Sequence, residues 1–260
     1  MKSIIKYTLL TALRDWLFLG IFLLVMLATV LSIFLGGTAI AEQGMMSAAY
    51  IGGITRIIVI IGLTLFVCFH VRRSFENKEV ELILTRPISR TKFIISYFVG
   101  FMVLTLITII PIVLMLYILS ITGLITINLK GLLLWGVSFY FEASVALALA
   151  FFAAVVLSSA VSSVLFCFAF YFLSRIFGFF LISINNPNSV AKGSKMSMVM
   201  EQILDVIGIV IPRFDMLTKS EWLIYGINDA KQISLFLSAV LLYIPFILLM
   251  ALFDFSKKQF

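Results

Sequence analysis

From Trp16 to Gly36 the chain runs 21 residues without a charge, and this run restricts the fold more than any other feature. A helix rises about 1.5 Å per residue, so roughly 20 apolar residues cross the ~30 Å hydrocarbon core of a bilayer. In that core every backbone N–H and C=O has to be satisfied inside the protein, which a helix does by itself. Comparable runs recur to the end of the chain. Of its 260 residues 63% are apolar and 12% charged, whereas soluble domains average about 25% charged. A soluble domain of this size has too little interior to hide so much apolar surface. The sequence therefore reads as an integral membrane protein, and soluble enzyme, disordered chain, secreted disulfide scaffold and nucleic-acid-binding domain are set aside.

Charge-poor runs mark the spans. They fall at about 16–36, 51–71, 93–121, 132–157, 164–184 and 233–253, within a single domain over 1–260. The first is longer than the roughly 7–15-residue core of a signal peptide, so Ala39-Ile40-Ala41 is read as sequence after an uncleaved span rather than a cleavage site. The run Ser158-Ser159-Ala160-Val161-Ser162-Ser163 is the expected turn between the fourth and fifth spans. Pro111 and Pro245 lie within spans, where neighbouring helices or water can satisfy the freed carbonyls. Six spans put both termini on one side. That side carries Lys2, Lys6, Arg14, Arg72, Arg73, Lys78, Arg86, Arg90, Lys92, Lys257 and Lys258 in short segments. The other side has Arg56, Lys130, Lys192, Lys195, Arg213, Lys219 and Lys231 spread over longer loops. The positive-inside rule makes the first side cytoplasmic, so the expectation is a multi-pass protein of an inner or plasma membrane. The net charge of +7 is then mostly topology, with no nucleic-acid partner implied.

Three segments are neither spans nor plain turns. In Met1–Asp15 the residues Ile4, Ile5, Leu9, Ala12 and Leu13 recur at helical spacing among Lys2, Lys6 and Arg14, which predicts an amphipathic helix in the interface. Segment 72–92 is the most charged part of the chain. Ser74 is placed to cap a short helix over about 75–84, Pro87 to end it, and Ser89 to cap the third span. Segment 185–232 combines turn chemistry at Asn185-Asn186-Pro187-Asn188 with an amphipathic stretch from about Met196 to Ile211. Trp222 and Tyr225 follow as interface anchors by type.

The order Glu79-x-Glu81-Leu82-Ile83-Leu84-Thr85-Arg86-Pro87-Ile88-Ser89-Arg90-Thr91-Lys92-Phe93 closely resembles the signature of ABC-2-type transporter permeases. There an acidic residue precedes a Leu-Leu-small-x-Pro-aliphatic-Ser-Arg run just before the third span. The resemblance extends to the six spans, the interfacial N-terminal helix, the long loop after span two, the Ser-rich turn after span four and the hydrophobic outer segment before the last span. It implies that 72–92 is a coupling segment that docks into a separate ATPase subunit. Phe75, Glu76, Glu79 and Glu81 would be the docking residues, and Arg86, Pro87, Ser89 and Arg90 would shape the return into span three. Ser158, Ser159, Ser162 and Ser163 would make a second cytoplasmic contact. It further implies two permease copies, a homodimer before a heterodimer, each with one ATPase, and ATP and Mg held by the ATPase rather than by this chain. The outer segment would dip back into the outer leaflet, and its length leaves room for an accessory outer partner.

Catalytic signals are missing. There is no Gly-x-x-x-x-Gly-Lys-Ser/Thr phosphate loop, and one histidine, His70, with two cysteines, Cys68 and Cys167, does not make a metal cluster. Two charges lie deep within spans, Glu142 about ten residues from the outer start of span four and Arg175 about twelve from the inner start of span five. Spans four and five are antiparallel neighbours, so the two reach one depth. An ion pair locking the hairpin is expected, with a polar point on a substrate path as the alternative. Arg56 reads as a snorkelling residue near an outer helix end. The sequence thus leads to an all-α, six-span permease subunit that exports an amphipathic or hydrophobic substrate. The alternatives are a maturation-type permease serving haem or copper enzyme assembly, and a non-transporting membrane scaffold.

Overall fold

The computed structural model describes residues 2–80, 85, 89–185, 214, 218–226 and 230–257. Among them every regular element is a helix: α1 (Lys2–Arg14), α2 (Trp16–Gly37), α3 (Gln43–Glu76), α4 (Arg90–Ile121), α5 (Leu129–Val156), α6 (Ala160–Asn185), α7 (Glu221–Tyr225) and α8 (Ala230–Lys257). Five stretches are long and apolar enough to cross a membrane, namely α2, α3, α4, α5 and Val240–Lys257 within α8. Ala160–Ile176 of α6 is a shorter apolar helix. The chain is a multi-pass helical membrane protein by these criteria of length and composition.

The helix ends follow local chemistry. Asp15 separates α1 from α2, and its carboxylate accepts from the Leu17 N–H at 3.0 Å. Ser89 is extended and caps α4 through Lys92 N–H, and Asn128 caps α5 by accepting from Lys130 and Gly131 at 3.0 and 3.2 Å. Each cap satisfies N–H groups that the first helical turn leaves without partners. Helices α4 and α8 continue through Pro111 and Pro245.

Two boundaries differ from the sequence reading. Helix α3 begins at Gln43 and continues to Glu76, 34 residues in all, so Ser74 is a buried residue inside it and caps nothing. The helix stops at Asn77 and Lys78, with Lys78 left-handed at φ 57°. At the fourth turn α5 ends at Val156 and α6 starts at Ala160. The turn is therefore Leu157–Ser159, and Ser162 and Ser163 lie within α6. Ser163 donates to the carbonyls of Ser159 at 2.9 Å and Ala153 at 3.2 Å, which takes its hydroxyl out of any external contact. The turn is where the serine run put it but shorter, because a serine back-bonding to its own helix is compatible with an apolar span.

Helix α5 is the hub. It packs against α3, α4, α6, α7 and α8. Its buried face carries Ala143, Ala146, Ala148, Ala150, Ala153 and Ala154, and small side chains let neighbouring backbones come close where lipid offers no hydrophobic drive to associate. Helices α2 and α3 form a hairpin in which Gly36 meets Ser47: a Cβ at Gly36 would lie 2.6 Å from the Ser47 backbone nitrogen. The outward face of α2, with Leu23, Leu27, Val30, Leu31 and Phe34 exposed, is left for lipid.

Helix α1 lies along α4, burying Ile4, Thr8 and Ala12 at a four-residue spacing, with Thr8 against Gly100. Leu13, placed on the apolar face by sequence spacing, is exposed along with Leu10. The helix thus has a protein-facing stripe and a separate apolar edge.

At the opposite end of the bundle, α7 closes over the starts of α3 and α5. Asn128 N–H donates to Leu223 O at 2.8 Å, and Leu223 fills the space over Gly52. Trp222 is only 7% exposed, so it packs into the protein rather than anchoring at an interface; Tyr225 is exposed. The amphipathic stretch read over about 196–211 lies outside the described residues.

A Cβ at Gly131 would sit 1.8 Å from the Trp222 carbonyl oxygen, a backbone atom that cannot yield without moving α7. Gly131→Ala is expected to lift α7 from α5 and cost about 1–3 kcal/mol, the usual range for overpacking. A lower thermal midpoint of the purified chain, together with new protease sensitivity near 218–226, would register it.

Candidate functional site

Two places gather the polar side chains. The first is a charge cluster inside the bundle. Arg56 lies 13 residues into α3 and Glu142 lies 13 residues into α5. Both helices start at the same end, where Thr126 N–H donates to Gly44 O at 3.1 Å. Equal offsets, each roughly 20 Å along the axis, put the two charges at one depth. Both are fully buried, with Arg56 Nη1 2.8 Å from Glu142 Oε2. Arg56 Nη2 donates to Ser138 Oγ at 2.6 Å and to Trp135 O at 3.0 Å. Its guanidinium carbon lies 4.9 Å from the Trp135 ring centre and 5.4 Å from that of Phe139, within the range of a cation–π contact. Trp135, Ser138, Phe139 and Glu142 follow an i, i+3, i+4, i+7 pattern, one stripe of α5.

The other Glu142 oxygen faces α6. Tyr171 Oη donates to Glu142 Oε1 at 2.7 Å, and Arg175 Nη1 donates to Tyr171 Oη at 2.7 Å. Arg175 is 3.9 Å from Glu142 Oε1. The structure brings Glu142 and Arg175 together as neighbours, but the shorter partner of Glu142 is Arg56, with Tyr171 between carboxylate and Arg175. Phe214 closes the cluster with its ring centre 5.3 Å from that of Tyr171.

Arg56 is a correction. Sequence reading set it near a helix end, free to snorkel, because the apolar run starts near residue 51. The helix itself starts eight residues earlier, at Gln43, in a small and polar stretch that hydropathy does not register as span. Ser138 and Tyr171 were also missed. The α5 stripe of Trp135, Ser138, Phe139 and Glu142 and the i, i+4 pair Tyr171–Arg175 were visible signals for them.

The second place is the basic end. Arg72 Nη2 donates to Ser158 O, which ties the end of α3 to the Leu157–Ser159 turn. Arg90 Nη1 donates to Phe255 O at 3.2 Å and Ser256 O at 2.7 Å, so a cation sits on the carbonyl end of α8, where the helix dipole favours it. Phe255 is stacked on Phe93 at 5.5 Å and meets Phe75 edge-on at 6.2 Å. Tyr7 Oη of α1 donates to Glu79 Oε2 at 3.0 Å; burial and then this bond push the Tyr7 phenol above its usual value, which keeps it a donor. Of the residues expected to dock, Glu76 projects outward at 63% side-chain exposure and lies 4.0 Å from Arg72. Phe75 is half-buried against Phe255, and Glu79 is held by α1. Glu81, Arg86 and Pro87 lie outside the described residues. Ser159 is in the turn with Ser158.

Beside these contacts an open groove of about 780 Å³ runs between Arg90, Phe152, Val156, Leu249 and Phe253. His70 is buried in aromatic rings, stacked on Phe66 at 5.2 Å and edge-on to Phe101 at 6.1 Å. Both cysteines are buried thiols. Among the described residues no group of three His, Cys, Asp or Glu side chains could hold a metal. No protein-family model and no curated protein sequence matches the chain.

The geometry makes the contributions of the three charges unequal. Glu142→Gln removes the carboxylate that both guanidinium groups share and is expected to be the most damaging change. Arg56→Met leaves Glu142 with Arg175 already 3.9 Å away and costs less. Removing one member of a buried pair typically costs about 3–5 kcal/mol, and the Arg56→Met/Glu142→Gln double variant should recover much of the loss. Folded protein in membranes and thermal midpoints supply the double-mutant cycle; zero coupling would reject the pair.

Proposed function

We propose that the chain is the permease subunit of an ABC-2-type transporter, coupled to a separate cytoplasmic ATPase through segment 72–92. The observation that carries this reading is the acidic-Leu-Ile-Leu-Thr-Arg-Pro-Ile-Ser-Arg run that leads into α4. Its surroundings suit a coupling role. Segment 72–92 begins at the end of α3 and is flanked by Arg72 on the Leu157–Ser159 turn, Arg90 on the end of α8 and Tyr7 of α1 on Glu79. A force on the described ends of this segment would reach α1, α3, α4, α8 and the α5–α6 turn through direct hydrogen bonds.

In this reading α6 is the fifth of six spans, both termini are cytoplasmic, and two copies of the chain enclose the path. Binding of ATP in the partner closes the ATPases, the segment moves, and the bundle opens at the end that α7 covers. The substrate is amphipathic or hydrophobic and is exported. ATP and Mg belong to the partner subunit, and this chain is not itself an enzyme.

Glu76 and Glu81 are the carboxylates to alter, since Glu79 also holds α1. Glu76→Lys with Glu81→Lys should abolish or strongly reduce co-purification with a co-expressed ATPase subunit, while membrane insertion persists because the segment stays charged. Unchanged assembly and transport would overturn the assignment.

Topology has its own measurement. A cysteine introduced at Ser194 should react with an impermeant thiol reagent from outside intact cells, and one at Lys78 should not. The reverse pattern would place segment 72–92 beyond reach of any cytoplasmic ATPase.

A further inference from the structure

We infer that the groove between the start of α4, the end of α5 and the end of α8 is a binding site for an anionic phospholipid, with an acyl chain along its wall and the phosphate at its mouth. The groove has a volume of about 780 Å³, within the roughly 300–1,000 Å³ of sites that take a discrete ligand. Its polarity is graded. Along α8 the wall runs through Phe246, Leu249 and Phe253, all exposed, and polar residues enter only at Asp254 and Ser256. Phe246 and Asp254 are eight residues apart, roughly 12 Å along the axis. Phe152 and Val156 close the groove from the end of α5, and Arg90 and Thr91 from the first turn of α4. Three helices thus build an apolar trough with one polar end, the profile of a lipid.

The surroundings decide what lies there. Val240–Lys257 is long and apolar enough to cross a membrane, so its exposed side chains face acyl chains. This stretch differs from an ordinary lipid-facing surface because it is concave and has a cation fixed at its mouth. Arg90 Nη1 donates to Phe255 O and Ser256 O, which keeps the guanidinium beside the opening. Lys257 Nζ lies 4.0 Å from the ring centre of Phe253, on the same wall. Both cations are donors suited to phosphate oxygens, and basic pockets between membrane helices take anionic headgroups. Asp254 also lines the opening, so the sign of the field is set by the whole end. Over every residue of 72–92 and 254–260 the sequence has eight basic side chains and four acidic ones. Helix α1, tied to this end through Tyr7 and Glu79, adds Lys2, Lys6 and Arg14 against Asp15. The end is cationic by sequence, whatever each side chain touches, and an anionic headgroup is favoured over a zwitterionic one. The inference concerns this chain alone and stands whether or not an ATPase is coupled to it.

The test uses the full chain in phosphatidylcholine nanodiscs with increasing phosphatidylglycerol, read by native mass spectrometry and thermal unfolding. A ligand that binds only the folded state raises the midpoint saturably. One phosphatidylglycerol molecule per chain should be retained in preference to phosphatidylcholine, with a saturable rise in midpoint. Lys257→Gln should weaken the apparent affinity roughly fivefold, the scale of one basic side chain at an anionic membrane surface. Val156→Trp fills the trough without changing charge and should weaken it at least as much. Leu249→Trp fills it from α8 and keeps the test open if the first variant does not fold. Lys130→Gln, at the opposite end of α5, should leave retention unchanged. Equal retention of the two lipids, equal retention by wild type and the groove variants, or a loss in Lys130→Gln as large as in Lys257→Gln would overturn the inference. So would equal stabilisation by glycerol 1-phosphate, which has the headgroup chemistry and no acyl chain. A Leu249→Cys crosslink between two chains that persists at saturating phosphatidylglycerol would also overturn it, by making a second copy the occupant.

Discussion

The bundle depends on one contact, the pair of Arg56 and Glu142. Each charge would be prohibitive alone at its depth, so α3 and α5 can coexist in a membrane only in the register that joins them. Lipid supplies no hydrophobic force between helices, and alanine stripes allow close approach at many registers. A buried ion pair allows one. Arg56 Nη2, donating to Ser138 Oγ and Trp135 O, narrows the rotation of α3 about its own axis as well as its height. Tyr171 extends the same constraint to α6 through the second carboxylate oxygen. Three helices are thus aligned by one carboxylate.

The basic end is built on a different principle. Its contacts are cations on carbonyl oxygens, Arg72 on Ser158 and Arg90 on Phe255 and Ser256, at positions exposed or only partly buried. Such contacts are individually modest. They hold the ends of α3, α4 and α8 and the α5–α6 turn as a group without the desolvation cost that locks the interior. An end held this way can move as a unit while the Arg56–Glu142 pair keeps its register. That division sets a buried ion-paired core apart from a lightly tied basic rim.

Much of the helix pattern was legible in the sequence. Charge-free length marks the spans because the bilayer core tolerates neither charge nor open backbone, and Ser89 stands at the start of α4 because its side chain accepts from the first turn. Glu142 and Arg175 were legible as neighbours from their depth alone. The course of the chain after α3 was less so. Spacing alone suggested a separate helix from about residue 75, whereas α3 runs on to Glu76, since neither Ser74 nor Phe75 interrupts it, breaks at Asn77 and Lys78, and helical backbone resumes at Glu79.

What the sequence by itself determined is how much of the chain is apolar, where the apolar stretches lie and which ions are stranded among them. These follow from a one-dimensional solvent rule. Tertiary structure alone decided which ion meets which. Arg56 is 86 residues from Glu142, and the start of α3 at Gln43 is set by its packing against α2 and α7, not by hydropathy. The placement of Trp222 inside the protein was decided the same way, by a glycine at position 131 with room for one carbonyl. Pairing and packing between distant segments depend on helix register, and register is fixed by the few contacts whose loss leaves a buried charge or a steric clash.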